Sequence, residues 1–315
     1  MSGFLVRKFT SFVATLVGAS LVVFLALEIL PGDPALSILG IDADPGALAA
    51  LRQHLGLDRP AGVRYLAWVA GLATGDFGTS YTYGIPVTEI LAPRLAVTIP
   101  LALMAMALSL AMALGIGLYA AANHGRPGAY GAMIVSQLGI AIPNFWLGLL
   151  LVLLFAVSLG WFPAGGFPGW SDGIGPAFKS LMLPAVALAT VQGAILARVV
   201  RAALLEESSA DFVRTARAKG LSRRRALLGH VLRNALVPIV TIMGLQFSFL
   251  LAGTIVVENV FSLPGLGRLV FQAISNRDLV VVKNVVMLLA TMVIVVNFAV
   301  DLAYRILDPR LETAL

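Results

Sequence analysis

The chain has 315 residues, 59% of them hydrophobic and only 12% charged, with a mean hydropathy of +0.93. Soluble domains carry roughly 25% charged residues, so a water-soluble globule is excluded and an all-α polytopic membrane protein is predicted. The absence of cysteine excludes disulfides, thiolate metal sites and cysteine nucleophiles, and His54, His124 and His230 show no ligand spacing.

Arg7 and Lys8 precede an apolar run from Phe9 to Leu30. A basic start before an apolar middle also fits a signal peptide, but the run exceeds the usual core of about 7–15 residues and no small-residue cleavage site follows. It is long enough to cross a bilayer. Residues 1–30 are therefore read as the first transmembrane helix, with its amino end in the cytoplasm.

Pro31-Gly32-Asp33-Pro34 stops that helix and opens an extracytoplasmic segment, residues 31–93. Within it, Asp44 as N-cap, Pro45 at the first helical position and Gly56 beyond the end predict one short helix. A second is predicted from Pro60 to Ala73, with Val63, Leu66, Ala67, Ala70 and Ala73 on one face, lying against the membrane surface or neighbouring protein. Gly75 to Ser80 reads as a loop.

Five further spans are expected in a core of residues 94–307: Leu95–Ala121, Met133–Leu159, Leu181–Leu204, Ala235–Val257 and Val280–Leu307. Pro143 predicts a kink in the second of these. Asp301, four residues before Arg305, reads as a helical ion pair rather than a proton relay. Residues 308–315 form a cytoplasmic tail. With this topology 14 of the 22 Lys and Arg fall inside, and the other eight lie outside among numerous acids. The net charge of +6 thus records membrane orientation, not a nucleic-acid surface.

Between the fourth and fifth spans lies the one long, densely charged stretch, Glu206 to Pro238. Two short helices are predicted in it. Ser208 with Asp211 makes a capping-box start, Gly220 a left-handed stop, and Ser222 the cap of a second helix with a basic first turn. The residues Arg214-Thr215-Ala216-Arg217-Ala218-Lys219-Gly220, then His230-Val231-Leu232-Arg233-Asn234-Ala235 and Pro238, resemble the cytoplasmic coupling loop of ABC importer permease subunits of the dipeptide/oligopeptide/nickel branch. The general importer pattern is Glu-Ala-Ala, three residues, Gly, nine residues, Ile-x-Leu-Pro. Relative to it, Arg214, Thr215, His230 and Arg233 are departures, and they are the branch's own. Pro31-Gly32-Asp33-Pro34, Leu55 to Pro60, Gly75 to Ser80, Glu258 to Gly267 and Asp308-Pro309-Arg310 resemble the same branch, so the likeness spans nearly the whole chain.

The resemblance implies a six-helix type I ABC importer permease fold in the bacterial inner membrane. It implies no catalysis and no cofactor in this chain; ATP and Mg would be bound by two partner ATPase subunits or domains. A related, nonidentical six-helix permease and an extracytoplasmic binding protein are the other implied partners. Contact with the ATPases is expected from Asp211, Phe212, Val213, Arg214, Thr215, Ala216, Arg217, Ala218, Lys219 and Gly220, with Phe212 and Val213 supplying an apolar contact. Arg223 to Arg225 would brace the loop on the anionic membrane surface.

The chain itself has no phosphate-binding loop, zinc-protease helix or nucleophile elbow. Polar residues within spans are Gln137, Asn144, Gln192, Gln246 and Asn297. Asn144, Gln192 and Gln246 are candidates for the solute pathway, with interhelical hydrogen bonding as the structural alternative. Import of short peptides is the leading expectation. Nickel complexes, glutathione, opines and sugars are alternatives by the same mechanism, and an ATPase-independent secondary transporter or an intramembrane enzyme are alternatives of another kind.

Overall fold

A computed structural model describes residues 2–29, 33–40 and 42–307, without the side chains of 2–5, 37 and 303–307. The expected stop at Pro31-Gly32, the tail from residue 308 and the Arg305 side chain expected to pair with Asp301 lie outside the described set. The helices run α1 (Ser2–Ile29), α2 (Pro34–Leu39), α3 (Pro45–His54), α4 (Ala61–Thr74) and α5 (Val87–Ala122). They continue with α6 (Pro127–Ala141), α7 (Asn144–Leu151), α8 (Ile174–Ser208) and α9 (Asp211–Ala218). The last four are α10 (Arg223–Ala226), α11 (Leu232–Val260), α12 (Leu266–Ser275) and α13 (Leu279–Leu307). Two compact units are formed: Met1–Thr98 with Pro264–Val295, and Ile99–Leu263 with Val296–Leu315.

In the first unit, Asp33 accepts the Ala35 N–H at 2.9 Å and so starts α2, a helix not anticipated from the sequence. The same carboxylate takes Arg52 Nε at 2.7 Å, tying α2 to α3. Asp44 caps α3 through the Ala47 N–H at 3.0 Å, and Gly56 lies beyond its end at φ 67°, both as predicted.

Helix α4 buries Trp68, with Tyr65, Val69 and Leu72 packed beside it, against Phe24 of α1 and Met287 of α13. The predicted apolar face, Val63 to Ala73, is exposed. The aromatic face wins because burying large rings removes more apolar area than burying alanines.

Polar groups then fix the unit. Trp68 donates to Asn284 Oδ1 at 2.9 Å, and Asn284 Nδ2 donates to the Phe77 and Val280 carbonyls at 2.6 and 2.9 Å. Buried Asp278 accepts from Ser80 Oγ (2.5 Å), Thr82 N (3.0 Å) and Val281 N (3.2 Å), closing the 77–86 loop over the start of α13. Burial, reinforced by that carboxylate, pushes the Tyr81 phenol above its usual range.

The second unit is built round α8, against which α6, α7 and α11 pack. In α8, 72% of the most apolar window is buried, so a span with Pro184 inside it is held by neighbours on several sides. Small residues permit this approach. A β-carbon at Gly117 of α5 would lie 2.5 Å from Val200 Cγ1, and one at Gly193 of α8 would lie 3.2 Å from the Ser109 carbonyl. Ser136 of α6 donates to the Ala194 carbonyl at 3.2 Å.

The span predicted over Met133–Leu159 is more than kinked. It breaks at Ile142-Pro143, and the two arms meet at 101°. Proline supplies no N–H to the ladder, and it holds Ile142 extended at φ −91°, ψ 121°. The second arm ends in a π-helical stretch, Val152–Ser158. Among the described residues, five helices are long and apolar enough to cross a membrane, or six if the broken pair counts as one span.

Candidate functional site

The charged stretch folds as α8, then α9, then α10. The predicted capping box does not form. Helix α8 continues through Ser208, whose hydroxyl donates back to the Leu204 carbonyl at 2.5 Å, so Ala210 becomes the N-cap of α9 without a side-chain bond. Asp211 still serves the helix start as the acid in its first turn, and it pairs with Arg214 at 3.4 Å. With both groups largely in solvent, that pair contributes little.

Gly220 ends the segment at φ 91°, as predicted, and Ser222 Oγ accepts the Arg225 N–H at 3.4 Å, as predicted. The expected second helix, however, does not stand apart from the fifth span. Through a π-helical stretch, Leu227–Val231, the basic turn runs directly into α11, giving one helix from Arg223 to Val260.

Residues Asp211 to Gly220 are thus brought together on one short knuckle, but not with one outlook. Val213 is 7% exposed and lies in the core cluster of Leu204, Ala226, Val231 and Ala121. It anchors the knuckle to its own bundle, which corrects the expectation that it offers an external apolar contact. Phe212 stays exposed, as do Arg214, Thr215, Arg217, Ala218, Lys219 and Gly220, with Ala216 half-buried. Two residues that the sequence did not assign to the knuckle stand beside it: Arg201 Nη2 lies 3.4 Å from His124 Nδ1, where α8 passes the end of α5.

The interior polar candidates sit deeper in the second unit. Gln192 and Gln246 are each 6% exposed, on neighbouring helices α8 and α11. The Oε1 of each, and Oδ1 of Asn144, are buried with no protein donor. Asn144 opens α7 just after the break. Gly253 of α11 is close enough that a β-carbon there would lie 3.4 Å from Asn144 Nδ2 and 3.0 Å from Leu188 Cδ2. These oxygens therefore do not make the interhelical bonds that were the structural alternative. Gln137 instead is exposed. Asn284 escaped notice because it sits so near the start of its span, although an asparagine in an apolar helix was signal enough.

Comparisons with known proteins agree with this architecture. Residues 113–313 match the family described as binding-protein-dependent transport system inner membrane component, and residues 1–102 match the N-terminal family of such membrane components. The chain is 39% identical over 333 residues to a di/tripeptide transport system permease protein of Pseudomonas aeruginosa, covering 99% of each. It is 36% identical over 332 residues to a dipeptide transport system permease protein of Alkalihalophilus pseudofirmus (99% and 100% covered). To a glutathione transport system permease protein of Salmonella choleraesuis it is 38% identical over 312 residues, with 99% of each covered. Among solved structures, the MetNI methionine ABC transporter matches with a TM-score of 0.58 at 20% identity, over 70% of this chain and 97% of that one, which shows the fold. The chain therefore belongs to the family of binding-protein-dependent transport system inner membrane components, and it is a multi-pass permease subunit of the ABC importer type.

Proposed function

We propose that this chain forms one half of an ATP-driven import route for dipeptides or other short peptides through the bacterial inner membrane. A related six-helix permease would supply the other half, and an extracytoplasmic binding protein would deliver the solute. Relatives named for dipeptides, di/tripeptides and glutathione support the substrate class, since all three are short chains of amide-linked residues. Asn144, Gln192 and Gln246, whose buried oxygens lack protein donors, would offer acceptors to amide N–H groups along that route.

The observation that carries the reading is the division of labour on α9. Val213 fastens the knuckle inward while Phe212 and Lys219 project from it. Such a knuckle can press into a cleft on an ATPase subunit, and ATP and Mg bound there would drive alternating access. It would lie on the cytoplasmic side, with the chain's amino end.

A chain without cysteine makes the test direct. Phe212→Cys should crosslink to an ATPase subunit in assembled importer. Ala216→Glu should leave the subunit inserted and abolish uptake of a radiolabelled dipeptide. Uptake retained by Ala216→Glu together with no ATPase trapped at position 212 would remove α9 from the mechanism.

A further inference from the structure

On the bundle side of α9 lies a half-open cavity of about 710 Å3 whose wall is divided by chemistry. Leu205, Leu227 and Val231, at the ends of the spans, make an apolar floor. His124, Arg214, Arg217 and Arg223 stand on the remaining wall, and no described Asp or Glu lines it. Behind His124 lies Arg201, whose Nε is buried with no acceptor. Arg214 is paired with Asp211 at 3.4 Å, whereas Arg217 and Arg223 have no acidic partner among the described residues, so an anion entering here would relieve their repulsion. Val213 lines the cavity and Phe212 does not, so the space is separate from the projecting apolar tip of α9.

We propose that this cavity binds the phosphate headgroup of an anionic phospholipid of the adjacent leaflet. The phosphate sits among Arg214, Arg217, Arg223 and His124, and the glycerol and first methylenes lie on Leu205, Leu227 and Val231. The apolar floor selects a lipid over a soluble phosphate, and the basic wall selects an anionic headgroup over a zwitterionic one. A lipid so placed bridges α9, α10 and the end of α5, stapling the knuckle to the bilayer. The inference rests on the proposed placement of α9 at the inner membrane face. Lipid retention is read without ATP, so a failure of coupling and a failure of lipid binding are separate results.

Native mass spectrometry of the purified permease, carried in mixed phosphatidylglycerol and phosphatidylcholine, is the test. Phosphatidylglycerol should be retained preferentially. Arg223→Ala and Arg201→Met should each lower that retention by on the order of fivefold, the weight of one basic side chain near a membrane surface. Arg233→Ala, at an exposed position that does not line the cavity, should leave it unchanged. Equal retention of both lipids, or an equal loss from Arg233→Ala, would overturn the proposal in favour of diffuse surface charge. Displacement by excess inorganic phosphate would assign the cavity to a free anion. Displacement on adding the ATPase subunits would assign it to the protein partner.

Discussion

Two adjacent residues of α9 carry opposite duties. Neighbours on a helix point about 100° apart, so of two apolar residues in sequence only one can face the bundle. Val213 takes that place and Phe212 is left outside. Val213→Ala should cost about 1–2 kcal/mol of local packing. The expected signature is faster amide exchange across residues 209–222 while the spans remain protected. Phe212→Ala should leave the thermal midpoint unchanged and lower ATP-driven uptake. The sequence could place both residues in the loop but not divide them, because Ala216 lies four residues after Phe212 and three after Val213, so either could share its apolar side. Asp278 is the other decisive residue. Two of its three hydrogen bonds hold the 77–86 loop and the third caps the start of α13, so Asp278→Ala strands buried donors at about 1–3 kcal/mol each. The thermal midpoint of the detergent-solubilised permease should fall accordingly.

Among the elements, long apolar helices were legible because hydropathy alone marks them; their ends moved by four residues at most, but four of them start six to eight residues before the predicted spans. Short ones were not. Helix α2 depends on the Asp33 cap, and α11 and α12 stop without a glycine: beyond their ends Ser262 and Arg277 occupy the left-handed region at φ 51° and 56°. Helix α4 was legible as a helix, but its packed side was decided by aromatic rings on distant segments. The break at Pro143 was foreseen as a kink, whereas its angle depends on the packing of both arms against α8. Contact between α5 and α8 rests on missing side chains. Gly117→Leu would drive carbon into Val200 and the Ala197 carbonyl, and overpacking of this kind costs about 1–3 kcal/mol. Reduced yield of folded permease by fluorescence-detected size exclusion would report it, and Gly115→Leu, with open space around it, is the matched control.

For the molecule as a whole, the charge bias predicts which ends of the spans face the cytosol. Alkaline phosphatase fused after Asp58 should be active, and fusions after Gly125 or Gly220 should be silent; activity after Gly220 would invert the arrangement. The prediction can be drawn from the sequence because lipid imposes a simple rule on every loop. The interior polar residues could be located but not characterised, since whether a glutamine finds a donor depends on rotamers across three helices. The helix that leaves the knuckle is long enough to reach across the entire thickness of a bilayer. Because the basic turn at Arg223 runs unbroken to Val260, it forms a rod of 38 residues, ~57 Å long. Such a strut has no slack at its base except the wider turn at Leu227–Val231. A tug on the knuckle would therefore arrive at the far side as a tilt or twist of the strut, with that wider turn and Pro238, where the ladder lacks an N–H, as its points of give.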